Sequence, residues 1–139
     1  LAITSTDASA ELAGAYDEIG DHANAARFWK QALADPNTKP ERIADAGLSA
    51  LMAGDTQRAV ELLQKAVAQN PSNATTQSNC GIALMTVGSH EPAVDHFREA
   101  VRLAPGDARK HANLAQSRGD ARLGVAARHH VGRGIASGD

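Results

Sequence analysis

The chain has 139 residues, a formal net charge of −2, one cysteine and only 3% aromatic residues. This length suits a single domain, and the near-neutral charge gives no reason to expect nucleic acid as a partner. One cysteine excludes an internal disulfide, and no apolar run approaches the roughly 20 residues that a membrane span requires. A core built from alanine, leucine and valine leaves little room for a large cofactor, so none is expected.

Apolar residues at helical spacing, punctuated by glycine, proline and capping residues, predict seven helices. The first, second, fifth, sixth and seventh are expected over about 8–19, 22–34, 74–87, 91–103 and 108–117. The third and fourth lie either side of Gly54, between Pro40, which suits a first helical position, and Pro71, which stops a helix. In the first helix, the expected buried stripe is Leu12, Ala15, Tyr16 and Ile19.

Gly54 marks the turn of a helical hairpin. Glycine adopts the left-handed conformation that ends a helix, and Asp55 or Thr56 can cap the helix that follows. The same pattern recurs every 34 residues. The sets of positions that keep this period are Gly20, Gly54 and Gly88; Asp21, Asp55 and Ser89; Ala13, Gly47 and Gly81; Ala25, Ala59 and Ala93; Trp29, Leu63 and Phe97; and Ala32, Ala66 and Ala100.

This pattern resembles the tetratricopeptide repeat family, whose unit is 34 residues of paired helices. The resemblance covers about residues 6–107 and implies one all-α domain, a right-handed solenoid of three repeats over about 6–39, 40–73 and 74–107. Stacked repeats leave an apolar face at each end. Residues from about 108 to 131 are therefore interpreted as a truncated capping hairpin that turns near Gly119, followed by a frayed tail over 132–139.

In tetratricopeptide arrays the first helix of each repeat lines a concave face, so the resemblance implies a groove that holds a partner peptide or helix. The predicted groove residues are Asp17, Glu41, Leu48, Leu51, Met52, Asn79, Ile82, Met85, Arg109 and Asn113. The large apolar members would form a patch in the middle of the groove, and such patches mark interaction sites. The alternative is that another helix of the same protein covers them.

One variant of the family grips the C-terminal carboxylate of chaperone peptides with a clamp of Lys, Asn and Arg. Its first helix should present Lys and Asn where this chain has Ala10 and Gly14, and a shift by one repeat gives Ala44 and Leu48. Only Asn79 and Arg109 then match the clamp. The sequence therefore argues against capture of that kind.

Other chemistries lack their motifs. The six histidines do not form the i, i+4 pairs with a third acidic ligand that a zinc site needs, and the adjacent His129 and His130 point about 100° apart on a helix. There is no Gly-x-Ser-x-Gly turn and no glycine-rich phosphate loop. Cys80 is interpreted as a buried structural thiol. We therefore predict no metal site, no cofactor and no catalysis.

The preferred hypothesis is a non-catalytic protein-interaction scaffold. Acidic residues near the first end of the chain and Arg109 near the last would orient the bound segment. The alternatives are a partner-recruiting or regulatory domain of a larger enzyme, and a small secretion-type chaperone. Self-association through the same patch is also open. The cytoplasm is favoured because no signal-peptide pattern begins the chain, with the periplasm or envelope as the alternative if a signal or anchor is missing.

Overall fold

A computed structural model describes residues 5–136, with side chains over residues 5–122. Residues 5–136 contain seven α-helices and no strand. The helices are α1 (Ser5–Glu18), α2 (His22–Ala32), α3 (Pro40–Met52), α4 (Thr56–Gln69), α5 (Ala74–Thr86), α6 (His90–Leu103) and α7 (Ala108–Ala136). They pair as the hairpins α1–α2, α3–α4 and α5–α6, which stack in chain order, and α7 packs on α6. The prediction of an all-α helical repeat solenoid is confirmed.

The hairpin turns use the glycines that the 34-residue period singles out. Gly20, Gly54 and Gly88 have φ angles of 80°, 85° and 82°. In this region glycine avoids the steric cost that a side chain would add. After Gly54, the Asp55 carboxylate accepts a hydrogen bond from the backbone N–H of Arg58 at 3.3 Å and caps α4. The left-handed turn and the Asp55 cap are therefore as predicted.

The small residues of the repeat allow the two helices of each hairpin to approach closely. A Cβ atom placed on Gly47 would lie 2.7 Å from Cγ of Leu63, and one on Gly81 would lie 2.8 Å from the Phe97 ring. The alanines that keep the period are fully buried or nearly so: Ala25, Ala59, Ala93, Ala32, Ala66 and Ala100. The 34-residue period thus arises from small and bulky residues that pack against each other across each hairpin.

The predicted buried stripe of α1 is wrong. Leu12 is 46% exposed and Ile19 76% exposed, whereas Ser9, Ala10 and Ala13 are buried. One and two repeats further along, the position of Leu12 is occupied by Ala46 and Cys80, and both are buried in clusters that include the second helix of the preceding hairpin. Within the described chain no hairpin packs on that side of α1, so Leu12 and Ala15 stay exposed. Only Tyr16 of the predicted stripe is half-buried.

The predicted capping hairpin is also wrong, because α7 is one helix of 29 residues that passes through Gly119. The period of the repeat explains this result. Arg122 occupies the position where Gly20, Gly54 and Gly88 make their turns, and arginine does not favour the left-handed conformation that ends a helix there. The tail predicted to fray from residue 132 is helical as far as Ala136, and residues 137–139 lie outside the described chain.

A partly buried polar pair, Gln77 and His96, joins α5 to α6. Gln77 is buried, and its Nε2 donates to the carbonyl of Pro71 at 2.9 Å. Its Oε1 atom, 2.8 Å from Nδ1 of His96, therefore accepts a hydrogen bond from a protonated Nδ1. Burial lowers the pKa of His96, although the nearby Asp95 acts in the opposite direction. The folded protein thus favours the neutral imidazole.

We expect the free energy of unfolding to fall as the pH drops below about 6.5, the ordinary pKa of histidine. In that range the unfolded chain takes up a proton at His96 more readily than the folded chain does, so protonation favours unfolding. Urea unfolding at pH 7.5 and 5.5 measures the effect. A His96→Asn variant should lose less stability over this interval than the wild type. Equal losses in the two proteins would contradict the assignment.

Candidate functional site

Helices α3, α5 and α7 enclose an open cavity of about 420 Å³, which we call the groove. Its lining residues are Leu48, Thr75, Ser78, Asn79, Ile82, Arg109, Lys110, Ala112 and Asn113. Leu48 and Ile82 supply the large apolar surface, and each is 37% exposed. The two residues occupy equivalent positions on α3 and α5, one repeat apart. The stacking of two hairpins therefore brings two partly exposed apolar side chains together.

Polar groups on α7 border these apolar side chains. Asn113 donates from Nδ2 to Oγ of Ser78 at 3.2 Å, which ties α7 to α5. Nζ of Lys110 lies 2.9 Å from the Asp107 carboxylate, three residues earlier on the chain, and Arg109 is exposed beside it. The groove therefore offers amide groups and a guanidinium next to an apolar surface. This combination can hold a segment that carries apolar side chains and hydrogen-bond acceptors.

The acidic side of α3 contrasts with the basic side of α7. Desolvation raises the pKa of Asp45, the Glu41 and Asp17 carboxylates raise it further, and Arg42 acts against them. Arg42 also pairs with Asp7 on α1. Negative charge thus accumulates towards α1, while Arg109 is positive on α7.

Half of the predicted groove residues line this cavity, namely Leu48, Asn79, Ile82, Arg109 and Asn113. Glu41 and Met52 are exposed on α3 but do not line it, and Met52 is 58% exposed. Leu51 and Met85 are half-buried and pack against the core around Leu63 and Phe97. The expectation that these two side chains are free on the groove surface is therefore incorrect, because they complete the packing of their own hairpins.

Asp17 has a structural environment that the sequence analysis missed. Its carboxylate accepts hydrogen bonds from Nε1 of Trp29 at 2.9 Å and Oγ of Ser49 at 2.7 Å, and it pairs with Nδ1 of His22 at 2.9 Å. Burial opposes its ionisation, but these hydrogen bonds from Trp29, His22 and Ser49 outweigh that effect and keep the pKa of Asp17 below its ordinary value. The carboxylate therefore links α1, α2 and α3.

The residues that align with Asp17 in the next two repeats indicate this structural role. Asp17 occupies the position that Leu51 and Met85 occupy in the next two hairpins, and those two residues pack against the core. A carboxylate at a packing position requires hydrogen-bond donors. Four residues that line the groove are absent from the predicted set, namely Thr75, Ser78, Lys110 and Ala112. For Lys110, its neighbour Arg109 and the aspartate three residues earlier could have indicated the position.

Other kinds of site find little support in the part of the chain with described side chains. No group of three or more His, Cys, Asp or Glu residues there could hold a metal ion. Cys80 is free and buried as predicted, and burial raises the pKa of its thiol to about 11. Among residues 5–136, no helix combines the length and the apolar content needed to cross a membrane.

A family model for the tetratricopeptide repeat matches residues 44–108. That match spans the second and third hairpins, whose turn glycines and interlocking side chains are described above. Over these residues the chain is similar to the tetratricopeptide repeat family. Members of this family are typically non-catalytic interaction modules. A comparison with curated proteins found no match.

Solved structures of tetratricopeptide repeat proteins share the fold of this repeat array. A crystal structure of MamA has a TM-score of 0.77 and 22% identity, over 86% of this chain and 72% of that one. YrrB, described as having an unusual peptide-binding site, has a TM-score of 0.75 and 19% identity, over 81% of this chain and 58% of that one. The second tetratricopeptide repeat domain of human RPAP3, solved with an HSP70 peptide, has a TM-score of 0.76 and 15% identity, over 82% of this chain and 95% of that one.

Proposed function

We propose that this repeat array is a non-catalytic scaffold whose groove binds a segment of a partner protein. The observation that carries the proposal is the pair Leu48 and Ile82, which lie in one cavity and are each 37% exposed. Burial of an apolar side chain of this size is favourable. A ligand that covers both exposed side chains would therefore gain binding free energy. The peptide-binding sites of YrrB and RPAP3 support the same conclusion.

The surroundings of the groove define the chemistry of the bound segment. Two apolar side chains would contact Leu48 and Ile82, while the amides of Asn79 and Asn113 would bind backbone carbonyl groups. Arg109 would favour an acidic residue at the α7 side of the segment, and the carboxylates of Glu41 and Asp45 would favour a basic residue towards α1. A chain bound across the groove would thus have a defined direction.

A protein with this function could be either a free-standing scaffold or a recruiting domain of a larger enzyme. In both cases the groove binds a partner and the chemistry lies elsewhere. Leu48 and Ile82 could also contact a second copy of the chain, so the oligomeric state should be measured alongside binding.

Replacing Leu48 and Ile82 together with glutamate should abolish binding while the fold survives. A peptide selected from a random phage-displayed library against the immobilised chain provides the ligand. We expect its Kd to rise by at least about 100-fold, because two apolar contacts are lost and charge is placed in the interface. Thermal unfolding of the variant should remain cooperative, with a change in the free energy of unfolding below about 1 kcal/mol.

The matched control replaces Leu12 and Ile19 with glutamate, since these residues are also large, apolar and exposed but do not line the groove. Its Kd should equal that of the wild type. Loss of binding in this control, or full binding by the groove variant, would place the interaction surface elsewhere. An unfolded groove variant would show that Leu48 and Ile82 are core residues.

A further inference from the structure

A second cleft, of about 430 Å³, lies between the first and second hairpins and shares no lining residue with the groove. We call it the α2–α4 cleft, because residues of α2 and α4 line it together with residues of α3. Trp29, Leu33 and Leu62 provide its large apolar surfaces. Its volume falls within the range of about 300–1,000 Å³ that is usual for small-molecule sites.

Small residues in the first two hairpins leave this space open. Ala26, Ala46, Ala50 and Ala53 line the cleft. One repeat further along, between the second and third hairpins, the same four positions are occupied by the larger residues Val60, Cys80, Leu84 and Val87. Three of these, namely Val60, Cys80 and Leu84, are buried in the core there.

The open volume of the cleft limits the size of a ligand. The first junction lacks eight heavy atoms at the four alanine positions, but Trp29 adds six relative to its counterpart Leu63, so these residue differences alone do not give a ligand size. The cleft remains open beside Trp29, with a volume of about 430 Å³. A space of this volume suits an apolar chain of about eight to ten carbons.

Two basic side chains line the cleft, Lys30 on α2 and Arg58 on α4, together with the carboxylate of Asp55. Asp55 already accepts the backbone N–H of Arg58, and the Arg58 guanidinium lies 3.5 Å from Glu61. Lys30 is exposed and lies at the edge of the apolar surface. An anionic group beside it would gain a favourable interaction.

We propose that the α2–α4 cleft binds a small anionic amphiphile, with an apolar chain of about eight to ten carbons against Trp29, Leu33 and Leu62 and a carboxylate beside Lys30. This site is separate from the groove and does not depend on the function proposed for it.

Fluorescence of Trp29 tests this proposal directly, because Trp29 is the only tryptophan of the chain and lines the cleft. The full 139-residue chain is titrated with hexanoate, octanoate and decanoate. Each added methylene should tighten binding by about fourfold until the cleft is full. The decyltrimethylammonium cation should bind at least about tenfold more weakly than decanoate, because Lys30 is positive. An unchanged emission spectrum with decanoate, or equal binding of the cation, would overturn the proposal.

Two sets of variants locate the site. Ala50→Leu and Ala53→Val copy Leu84 and Val87 of the next repeat, and each should weaken decanoate binding at least tenfold because it fills the cleft. Ala53 is exposed, so its variant remains informative even if Ala50→Leu disturbs the fold. Ala68→Leu, at an exposed position of α4 that does not line the cleft, is the control for size. Decanoate binding that survives both cleft variants would show that the amphiphile binds elsewhere.

Lys30→Glu tests the contact with the carboxylate. We expect decanoate to bind at least tenfold more weakly to this variant, and the decyltrimethylammonium cation to bind more tightly. Lys65→Glu, on α4 and outside the cleft lining, makes the same change of charge and should leave both affinities unchanged. Equal effects of the two substitutions would mean that net charge, and not Lys30, attracts the anion.

Discussion

Replacing Phe97 with alanine is expected to lower the free energy of unfolding by about 3–5 kcal/mol. Phe97 is among the largest fully buried side chains of the described chain and is 1% exposed. Its ring fills the space that Gly81 leaves on α5, where even one added carbon would lie 2.8 Å from the ring. Removal of the ring would open a cavity in the hairpin and in the core around Leu63 and Leu114. Urea unfolding at neutral pH measures the loss.

The matched control is Val87→Ala at a surface position that is 41% exposed, for which a change within about 0.5 kcal/mol is expected. A second comparison tests whether Gly81 and Phe97 interlock. Gly81→Ala alone should destabilise the protein through its clash with the ring, but in the Phe97→Ala background it should stabilise the protein. The pair would then show a coupling energy of about 0.5–3 kcal/mol, as residues in contact do. Additive effects would contradict the contact between these two positions.

Replacing Asp17 with alanine is expected to cost about 2–4 kcal/mol of stability, because hydrogen-bond donors on two other helices, α2 and α3, lose their acceptor. Trp29 and Ser49 are 7% and 4% exposed, so water cannot readily replace the carboxylate. Asp17→Asn should cost less, since its carbonyl oxygen can still accept one of these bonds. Urea unfolding of the three proteins at pH 7 gives the comparison.

The acid dependence of stability provides a second measurement. The pKa of Asp17 is lowered in the folded protein, so its carboxylate stabilises the fold above about pH 4 and this contribution is lost as the pH falls further. The alanine variant should therefore have a flatter stability profile between pH 5 and 2 than the wild type. If the variant instead kept full stability and lost affinity for the selected peptide, Asp17 would be a groove residue, as the sequence analysis proposed.

Local sequence predicted the features that depend on neighbouring residues. The turn at Gly54 and the cap at Asp55 involve residues within a few positions of each other, so their conformations follow from backbone sterics and local hydrogen bonds. The pairing of Gly47 with Leu63 could also be predicted, because the 34-residue period repeats it in each hairpin. Five of the nine residues that line the groove were predicted from the family resemblance together with helical spacing along α3, α5 and the start of α7.

The remaining features depend on which surfaces of the repeats are covered. Leu12 and Ala46 occupy equivalent positions, yet only Ala46 has a preceding hairpin packed against it in the described chain, so Leu12 is exposed. Asp17 and Leu51 are likewise equivalent in sequence, but the carboxylate is held by donors from two other helices. Helical spacing specifies the direction of a side chain from its own helix axis. Whether that side chain meets a core, a hydrogen-bond donor or solvent is decided by the neighbouring hairpin, and only the tertiary structure supplies that neighbour.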